Sequence, residues 1–129
     1  MKILIIEPGR HPKEADIPHT LEEMQRIVGG YIEAVYPWPD RVSLVCNEEA
    51  LYEDSEWNRY ITDGVAIKGT FFVCGLGEEN FTGLSPDLME KYKRLLWNPH
   101  LFIRSPRGVS VLDMETGGVV VEISRQSNG

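Results

Sequence analysis

The chain has 129 residues, 42% of them apolar and 26% charged, and a net charge of −7 at pH 7. This length suits one domain with one hydrophobic core, and the composition is ordinary for a soluble globular protein. No apolar run approaches the roughly 18 residues of a membrane-spanning helix, and the short apolar start does not resemble a signal peptide. We therefore expect a cytoplasmic protein without membrane contact.

The charge is distributed unevenly along the chain. Residues 1–90 hold 7 basic and 17 acidic side chains, whereas residues 91–129 hold 6 basic and 3 acidic ones. An acid-rich body repels a phosphate backbone, so we expect no direct binding of nucleic acid. A solvated, soluble surface is the simplest explanation of such a balance.

The first third of the chain predicts a strand, a helix and two further strands. The apolar run at residues 2–6 predicts a buried, central strand that Pro8 and Gly9 end, and a short extended piece follows at residues 15–17. Thr20 and Glu23 form a capping-box pattern, which predicts a helix over Thr20–Val28. Gly29 then suits a left-handed helix end, and Gly30 a tight reversal.

The middle of the chain alternates strand-like and polar stretches. Residues 31–36 and 42–46 are rich in β-branched and aromatic side chains and predict two strands, the second with one buried face. Residues 48–56 contain five carboxylates without the spacing of a calcium loop, so we interpret them as a solvated loop. Residues 65–73 predict one buried strand, or two short ones, with a bulge or bend at Gly69.

The last third predicts one more helix and a hairpin. Ser85 is a good helix cap before a proline, and apolar residues recur at helical spacing, so a second helix is expected over Ser85–Trp97. A short strand is expected at residues 101–103. Residues 109–113 and 119–124 predict a hairpin, and residues 126–129 a frayed end.

These elements predict an α+β fold: a mixed or antiparallel sheet of about five strands with two helices, plus a C-terminal β-hairpin. Residues 1–98 would form the main body and residues 99–129 an extension of the same domain. We expect the hairpin either to extend the main sheet or to pair with another chain, which would make a homo-oligomer. The expected core residues are Ile3, Ile5, Leu21, Met24, Ile27, Ile32, Val35, Val42, Leu44, Phe71, Val73, Met89, Tyr92 and Leu96.

Signatures of catalysis, cofactors or metals are missing from the sequence. Cys46 and Cys74 lie in apolar runs and are expected to be reduced core thiols. The three histidines, His11, His19 and His100, lack the spacing of a zinc site and are expected to be exposed or to act as local caps. We therefore predict no metal and no cofactor, and we favour a non-catalytic protein over an enzyme.

Several strings resemble one family. They are Leu-Glu-Glu-Met-Gln-Arg-Ile-Val-Gly-Gly at residues 21–30, the Asn-Glu-Glu at 47–49, an opening strand that ends in Glu-Pro-Gly, the Asn-Arg pair at 58–59 and Gly-Thr-Phe-Phe-Val at 69–73. Over residues 1 to about 98 the chain resembles the bacterial and phage family called domain of unknown function 3846. The resemblance implies a setting of bacteria and their mobile elements, and no established reaction.

Seven residues are candidates for a ligand site: Gly29, Gly30, Asn47, Glu48, Asn58, Arg59 and Lys68. We expect their loops to gather on one side of the sheet, where Arg59 and Lys68 would supply positive charge for an anionic small molecule. The alternative is that Arg59 pairs with Glu48 and ties down the acidic loop, which is the commoner role of a surface arginine.

Three functional hypotheses follow. The first, which the resemblance favours, is a small non-catalytic accessory protein that binds an anionic small molecule or a host defence protein. The second is an acidic decoy that occupies the nucleic-acid-binding site of a partner. The third is a small enzyme whose reaction the sequence does not identify.

Overall fold

The computed structural model describes residues 1–124, so the predicted frayed end at residues 126–129 lies outside the described residues. This part of the chain forms eleven strands and two helices in three sheets. In chain order the elements are β1 (Lys2–Ile6), β2 (Lys13–Asp16), α1 (Leu21–Val28), β3 (Ile32–Val35), β4 (Val42–Asn47), β5 (Trp57–Thr62), β6 (Val65–Lys68), β7 (Phe71–Leu76), β8 (Phe81–Thr82), α2 (Pro86–Leu95), β9 (His100–Ser105), β10 (Gly108–Asp113) and β11 (Val119–Ser124).

The main sheet has six strands in the order β2-β1-β7-β4-β3, with β8 paired to β7. All of its strand pairs are antiparallel, and the α+β class is confirmed. The predicted single sheet of about five strands is wrong, because β5 and β6 form a separate two-stranded sheet and β9, β10 and β11 a three-stranded one. The C-terminal strands therefore do not extend the main sheet.

Both faces of the main sheet are covered. Helix α1 packs Met24 and Val28 on one face, against Ile3 of β1 and Val45 of β4. On the other face, helix α2 and the β5–β6 hairpin cover a second cluster that includes Leu44. Strand β4 is consequently buried on both sides rather than on the one face that its alternation predicted.

The helix ends follow local rules. The Thr20 hydroxyl accepts a hydrogen bond from the backbone N–H of Glu23, and the Ser85 hydroxyl accepts one from Leu88. Gly29 ends α1 in the left-handed conformation, with φ +83°. Only half of the predicted capping box forms, since the Glu23 carboxylate turns to Arg26.

Strand β5 was missed by the sequence analysis, which placed Asn58 and Arg59 in a loop. An Asp63-Gly64 turn with positive φ at both residues joins β5 to β6, the geometry that a two-residue hairpin requires. Gly69, with φ +74°, then redirects the chain from this hairpin into the main sheet. The apolar run at residues 65–73 is thus two strands in two sheets.

Most of the expected core residues are buried. Ile5, Ile27, Ile32 and Val35 are only partly buried. Leu21 is wrong, since it is 54% exposed: it lies in the first turn of α1, before the residues that contact the sheet. Buried residues that the prediction omitted include Val45, Phe72 and Val111.

Cys46 and Cys74 are free, buried thiols on opposite faces of the main sheet. Burial raises the pKa of the Cys46 thiol to about 11 and that of the Cys74 thiol to about 12, so both stay protonated at neutral pH. Within residues 1–124, neither helix has the length and apolar character needed to cross a membrane.

Leu44→Ala is expected to lower the free energy of unfolding by roughly 2–5 kcal/mol, because the fully buried side chain leaves a cavity between β4 and α2. Chemical denaturation measures the change. Leu51→Ala is the matched control, since Leu51 is 60% exposed and its loss is expected to cost less than about 0.5 kcal/mol. Equal losses for the two variants would contradict the assignment of the core.

Candidate functional site

Arg59 is fully buried and lies at the centre of the molecule rather than at its surface. Its Nε donates to the carbonyl of Leu96 at 3.2 Å, Nη1 to the side chain of Asn58 at 2.9 Å, and Nη2 to the carbonyl of Arg10 at 2.6 Å. Burial lowers the pKa of the guanidinium to about 10, and the charge of Glu115 acts in the opposite direction. The group therefore stays charged at neutral pH, although none of these acceptors is a carboxylate.

Asn58 fixes this arrangement to the main sheet. Its amide nitrogen donates to the carbonyl of Ile6 at 2.9 Å and to that of Gly69 at 2.8 Å, while its oxygen accepts from Arg59. The predicted alternative for Arg59, an ion pair with Glu48, is not among the ion pairs of residues 1–124. Asn58 and Arg59 thus form an internal brace between β5, the end of β1 and the end of α2.

Four of the other predicted site residues, Gly29, Gly30, Asn47 and Glu48, lie on the opposite face of the main sheet. Asn47 alternates with Cys46 in β4, so its side chain shares the face that α1 covers. Its oxygen accepts the N–H of Glu49 at 2.8 Å, and a side chain at Gly30 would meet its amide at 2.9 Å. Gly30 and Asn47 are therefore brought together, and a side chain at position 30 would displace the amide of Asn47.

The expectation that all seven residues gather on one side of the sheet is wrong. Gly29, Gly30, Asn47 and the exposed Glu48 belong to the α1 side, whereas Asn58, Arg59 and Lys68 belong to the β5–β6 hairpin on the other side. The Lys68 ammonium lies over the ring of Trp57, 5.3 Å from its centroid. A role of these residues in ligand binding stays a prediction.

A concave surface lies beside the brace, where the hairpin, the end of α2 and the C-terminal sheet meet. This junction cleft has a volume of about 500 Å³, within the usual range for small-molecule sites. It is lined by Trp38, Tyr60, Ile61, Thr62, Asp63, Leu95, Leu96, His100, Val120 and Val121. Most of these side chains are apolar or aromatic, but polar and apolar atoms contribute about equally to the surface of the cleft.

His100 is the polar group of the cleft with a defined orientation. Its Nδ1 accepts the backbone N–H of Tyr60 at 3.1 Å, so the proton of the neutral ring is on Nε2. Nε2 of His100 has no hydrogen-bond partner within residues 1–124. It is not buried either, since Ser43 Oγ is the only buried side-chain polar atom without a partner in that range. Nε2–H is therefore an accessible, unused donor.

Burial lowers the pKa of His100, and the positive charge of Arg59 lowers it further, while Asp113 acts in the opposite direction. Neutral His100 is consequently favoured at physiological pH. Because Nδ1 is occupied by Tyr60, this neutral ring offers one donor and no free acceptor. The expectation that His100 is an exposed residue or a local cap is wrong, since the ring is half-buried and bonded across strands.

Trp38 forms part of the aromatic wall of the cleft, and neighbouring side chains hold its ring in place. The Trp38 ring packs against Tyr92 with centroids 4.6 Å apart. The Tyr92 hydroxyl donates to Asp40 at 2.7 Å, and the Lys91 ammonium contacts the same carboxylate at 2.6 Å. These bonds lower the pKa of Asp40, Lys91 having the larger effect, and burial raises the pKa of Tyr92. Trp38 is thus a fixed surface rather than a free side chain.

A second concave surface lies around the loop after β1 and has a volume of about 550 Å³. Its charged groups are largely used in ion pairs, Lys13 with Glu7 and His11 with Glu115. The His11 ring also stacks on Trp97, with centroids 4.2 Å apart. At this surface the loop after β1 therefore contacts the C-terminal part of the chain. Within residues 1–124, His, Cys, Asp and Glu side chains form no cluster suited to a metal ion.

Sequence reasoning missed the cleft because its parts come from five separate stretches of chain. Leu95 and His100 are five residues apart, but Trp38, Tyr60 and Val120 lie far from them in sequence, and no motif links these residues. One local signal was available: Trp57, Tyr60 and Ile61 are residue types that favour strands, but the polar Asn58 and Arg59 between them hid it. A buried arginine in a strand breaks the expected pattern, and such breaks concentrate at special sites.

Arg59→Ala is expected to lower the free energy of unfolding by at least ~3 kcal/mol. The buried carbonyl of Leu96, the partly buried carbonyl of Arg10 and the Asn58 oxygen lose a charged donor, and each such bond contributes roughly 1.5–3 kcal/mol. Chemical denaturation measures the loss. Arg104→Ala, at an exposed arginine of β9, is the matched control and should cost less than about 0.5 kcal/mol. A loss as small as the control's would show that the brace does not stabilise the fold.

The stability of the protein is expected to depend on pH through His100. Because its pKa is lower in the folded state than the ordinary value of about 6.5, the unfolded chain binds the proton more readily. The free energy of unfolding should therefore decrease as the pH falls through about 6.5 and below. His100→Asn keeps an acceptor for the Tyr60 N–H but removes this titration, so its pH profile should be flatter.

The measurement is the free energy of unfolding of both proteins between about pH 5 and pH 8, the range in which histidine titrates. Taking the difference between the profiles cancels the contributions of the other groups. His19→Asn, at an exposed histidine outside the cleft, should follow the native profile. Parallel profiles for the native protein and His100→Asn would contradict the burial of a neutral His100.

Comparison with protein families gives one result that covers most of the chain. Residues 1–96 match the model of the family described as Domain of unknown function (DUF3846). Comparisons with curated proteins and with solved structures give no match. The matched part includes the main sheet, both helices and the Asn58–Arg59 brace, and it ends at Leu96, whose carbonyl Arg59 binds. The chain therefore belongs to the DUF3846 family.

Proposed function

We propose that this protein is a non-catalytic binding protein that holds a small planar anion in the junction cleft. The observation that carries the proposal is the orientation of His100, whose occupied Nδ1 leaves Nε2–H as an unused donor on a residue that lines a cleft with aromatic and aliphatic walls. A few fixed polar groups in an apolar pocket are the usual make-up of a small-molecule site. The family description names no reaction, and binding requires none.

The walls favour a ligand with a flat, unsaturated ring. Trp38 and Tyr60 provide aromatic surfaces, and both are restrained: Trp38 packs on Tyr92, and the Tyr60 hydroxyl accepts the N–H of Gly64 at 2.8 Å. Offset stacking on such rings contributes roughly 0.5–1.5 kcal/mol beyond burial of apolar area. Because the walls are already ordered, little side-chain entropy is lost on binding.

The charge near the floor of the cleft favours an anion. Arg59 is buried behind Tyr60 and His100, and its charge is not matched by a bonded carboxylate. A charge away from water acts over a longer range than an exposed one. Together with the Nε2–H donor of His100, it would stabilise a carboxylate or sulfonate. Asp63 lies at the exposed rim, where solvent screens it.

The polar groups of the cleft support binding rather than turnover. They are the His100 imidazole, the Tyr60 and Thr62 hydroxyls and the Asp63 carboxylate, and no hydrogen bond between side chains of the described residues joins any two of them. Nucleophilic catalysis needs a nucleophile in contact with a base, and that base held by a third group. The imidazole of His100, whose Nδ1 is occupied, offers a proton donor and no free basic nitrogen.

The test uses two fluorescent probes of similar shape, the anion 8-anilinonaphthalene-1-sulfonate and its uncharged analogue N-phenyl-1-naphthylamine. The native protein is expected to bind the anion more tightly, measured by titration of probe fluorescence. His100→Ala should weaken anion binding by roughly 1.5–3 kcal/mol, the range for a hydrogen bond to a charged group, and should change binding of the neutral probe much less.

His19→Ala is the matched control, because it removes an exposed imidazole outside the cleft and should leave both affinities unchanged. Circular dichroism confirms that the variants are folded. Unchanged anion binding in a folded His100→Ala variant would rule out the cleft as the anion site. Equal losses for the two probes would show that His100 shapes the cleft without recognising charge.

A further inference from the structure

We propose that two copies of this chain associate through β11, with the free edge of each strand pairing antiparallel to the same strand of the other copy. In the order β11-β10-β9, strand β11 has a partner on one side only among the described residues. It is six residues long, and Val119 and Ile123 are 61% and 42% exposed. An exposed apolar edge of this length is a ready template for another strand.

The edges of the main sheet differ from β11 in the features that prevent such pairing. Strand β2 has four residues, and three of them are charged: Lys13, Glu14 and Asp16. Strand β3 also has four residues and is followed closely by Pro37. Short, charged or proline-flanked edges resist association, whereas β11 carries a single charge, at Glu122, and no proline. A partner strand that covers the free edge of β11 would therefore explain why this apolar edge is exposed in the single chain.

The distribution of charge favours a second copy of the chain as that partner. Residues 1–98 contain 10 basic and 17 acidic side chains, whereas residues 99–124 contain 2 basic and 3 acidic ones. Two copies therefore repel one another least when their C-terminal sheets approach, and neither copy needs a cationic partner surface. Such a contact is isologous, which is the interface of the two-fold symmetric dimers that are the commonest soluble oligomers.

Antiparallel pairing of β11 with itself is compatible with its sequence. With the two-fold axis at Val121, Glu122 of each copy faces Val120 of the other copy, so like charges are not directly opposed. The two three-stranded sheets would become one six-stranded sheet. Val120 and Val121 also line the junction cleft, so the added strand would lie at its rim. The proposal does not depend on a ligand in that cleft.

The test is sedimentation equilibrium of the full chain from about 1 µM to about 1 mM, with Ile123→Lys as the variant. Lysine on an edge strand places like charges across the two-fold interface and removes apolar contact, so the dimer dissociation constant should rise at least about tenfold. Hydrogen exchange gives a second measurement: in the native protein, amides of residues 119–124 should exchange more slowly at high protein concentration.

Leu101→Lys is the matched control, since Leu101 lies in β9 of the same sheet, is 45% exposed and gains the same charge. It should dimerise like the native protein. A native protein that is monomeric throughout the concentration range would overturn the proposal. So would an equal loss of dimer in both folded variants, or amide exchange in residues 119–124 that is independent of concentration, because each would place the contact away from the β11 edge.

Discussion

The structure depends on a buried positive charge that is satisfied almost entirely by neutral acceptors. The buried Arg59 guanidinium reaches the carbonyl of Leu96 and the side chain of Asn58, both away from water, and the partly buried carbonyl of Arg10. Removing a charge from water is costly, and the cost is offset only if the hydrogen bonds form with good geometry. The positions of β5, the end of α2 and the loop after β1 are therefore mutually constrained. A shift of any one of them leaves a buried donor or carbonyl without a partner.

This constraint makes β5 the link between the family domain and the C-terminal sheet. On one side of the strand, Asn58 binds the ends of β1 and β6; on the other, the backbone of Tyr60 binds His100 and the ring of Trp57 stacks on Phe102, with centroids 5.1 Å apart. The three-stranded sheet thus rests on the hairpin rather than on the main sheet. The junction cleft lies beside the contact between β5 and β9, where the hairpin and the three-stranded sheet meet.

The parts of the fold that were predictable from sequence are those set by neighbouring residues. Thr20, Gly29 and Ser85 act through caps that span about one turn, and each is found where the pattern placed it. Arg59 could not be predicted in this way, because its carbonyl partners lie 37 and 49 residues away in sequence. The same reason hid the cleft. The alternation in β4 predicted one buried face, but sequence alone did not show that α1 and α2 cover opposite sides.

The proposed anion site lies in a protein with a net negative charge, so the repulsion between the two has to be considered. The distances between the charges and their exposure to solvent decide its size. Exposed carboxylates, such as those at residues 48–56, interact through solvent and are screened within roughly 8–10 Å at ordinary salt. Arg59 is shielded from solvent and close enough to His100 to lower its pKa, so its field reaches the cleft largely unscreened. The net charge of the chain therefore governs which macromolecules approach, whereas the local charge at His100 governs what the cleft can hold. An acidic surface and the proposed anion site are compatible because the first acts through water and the charge of Arg59 acts largely within the protein.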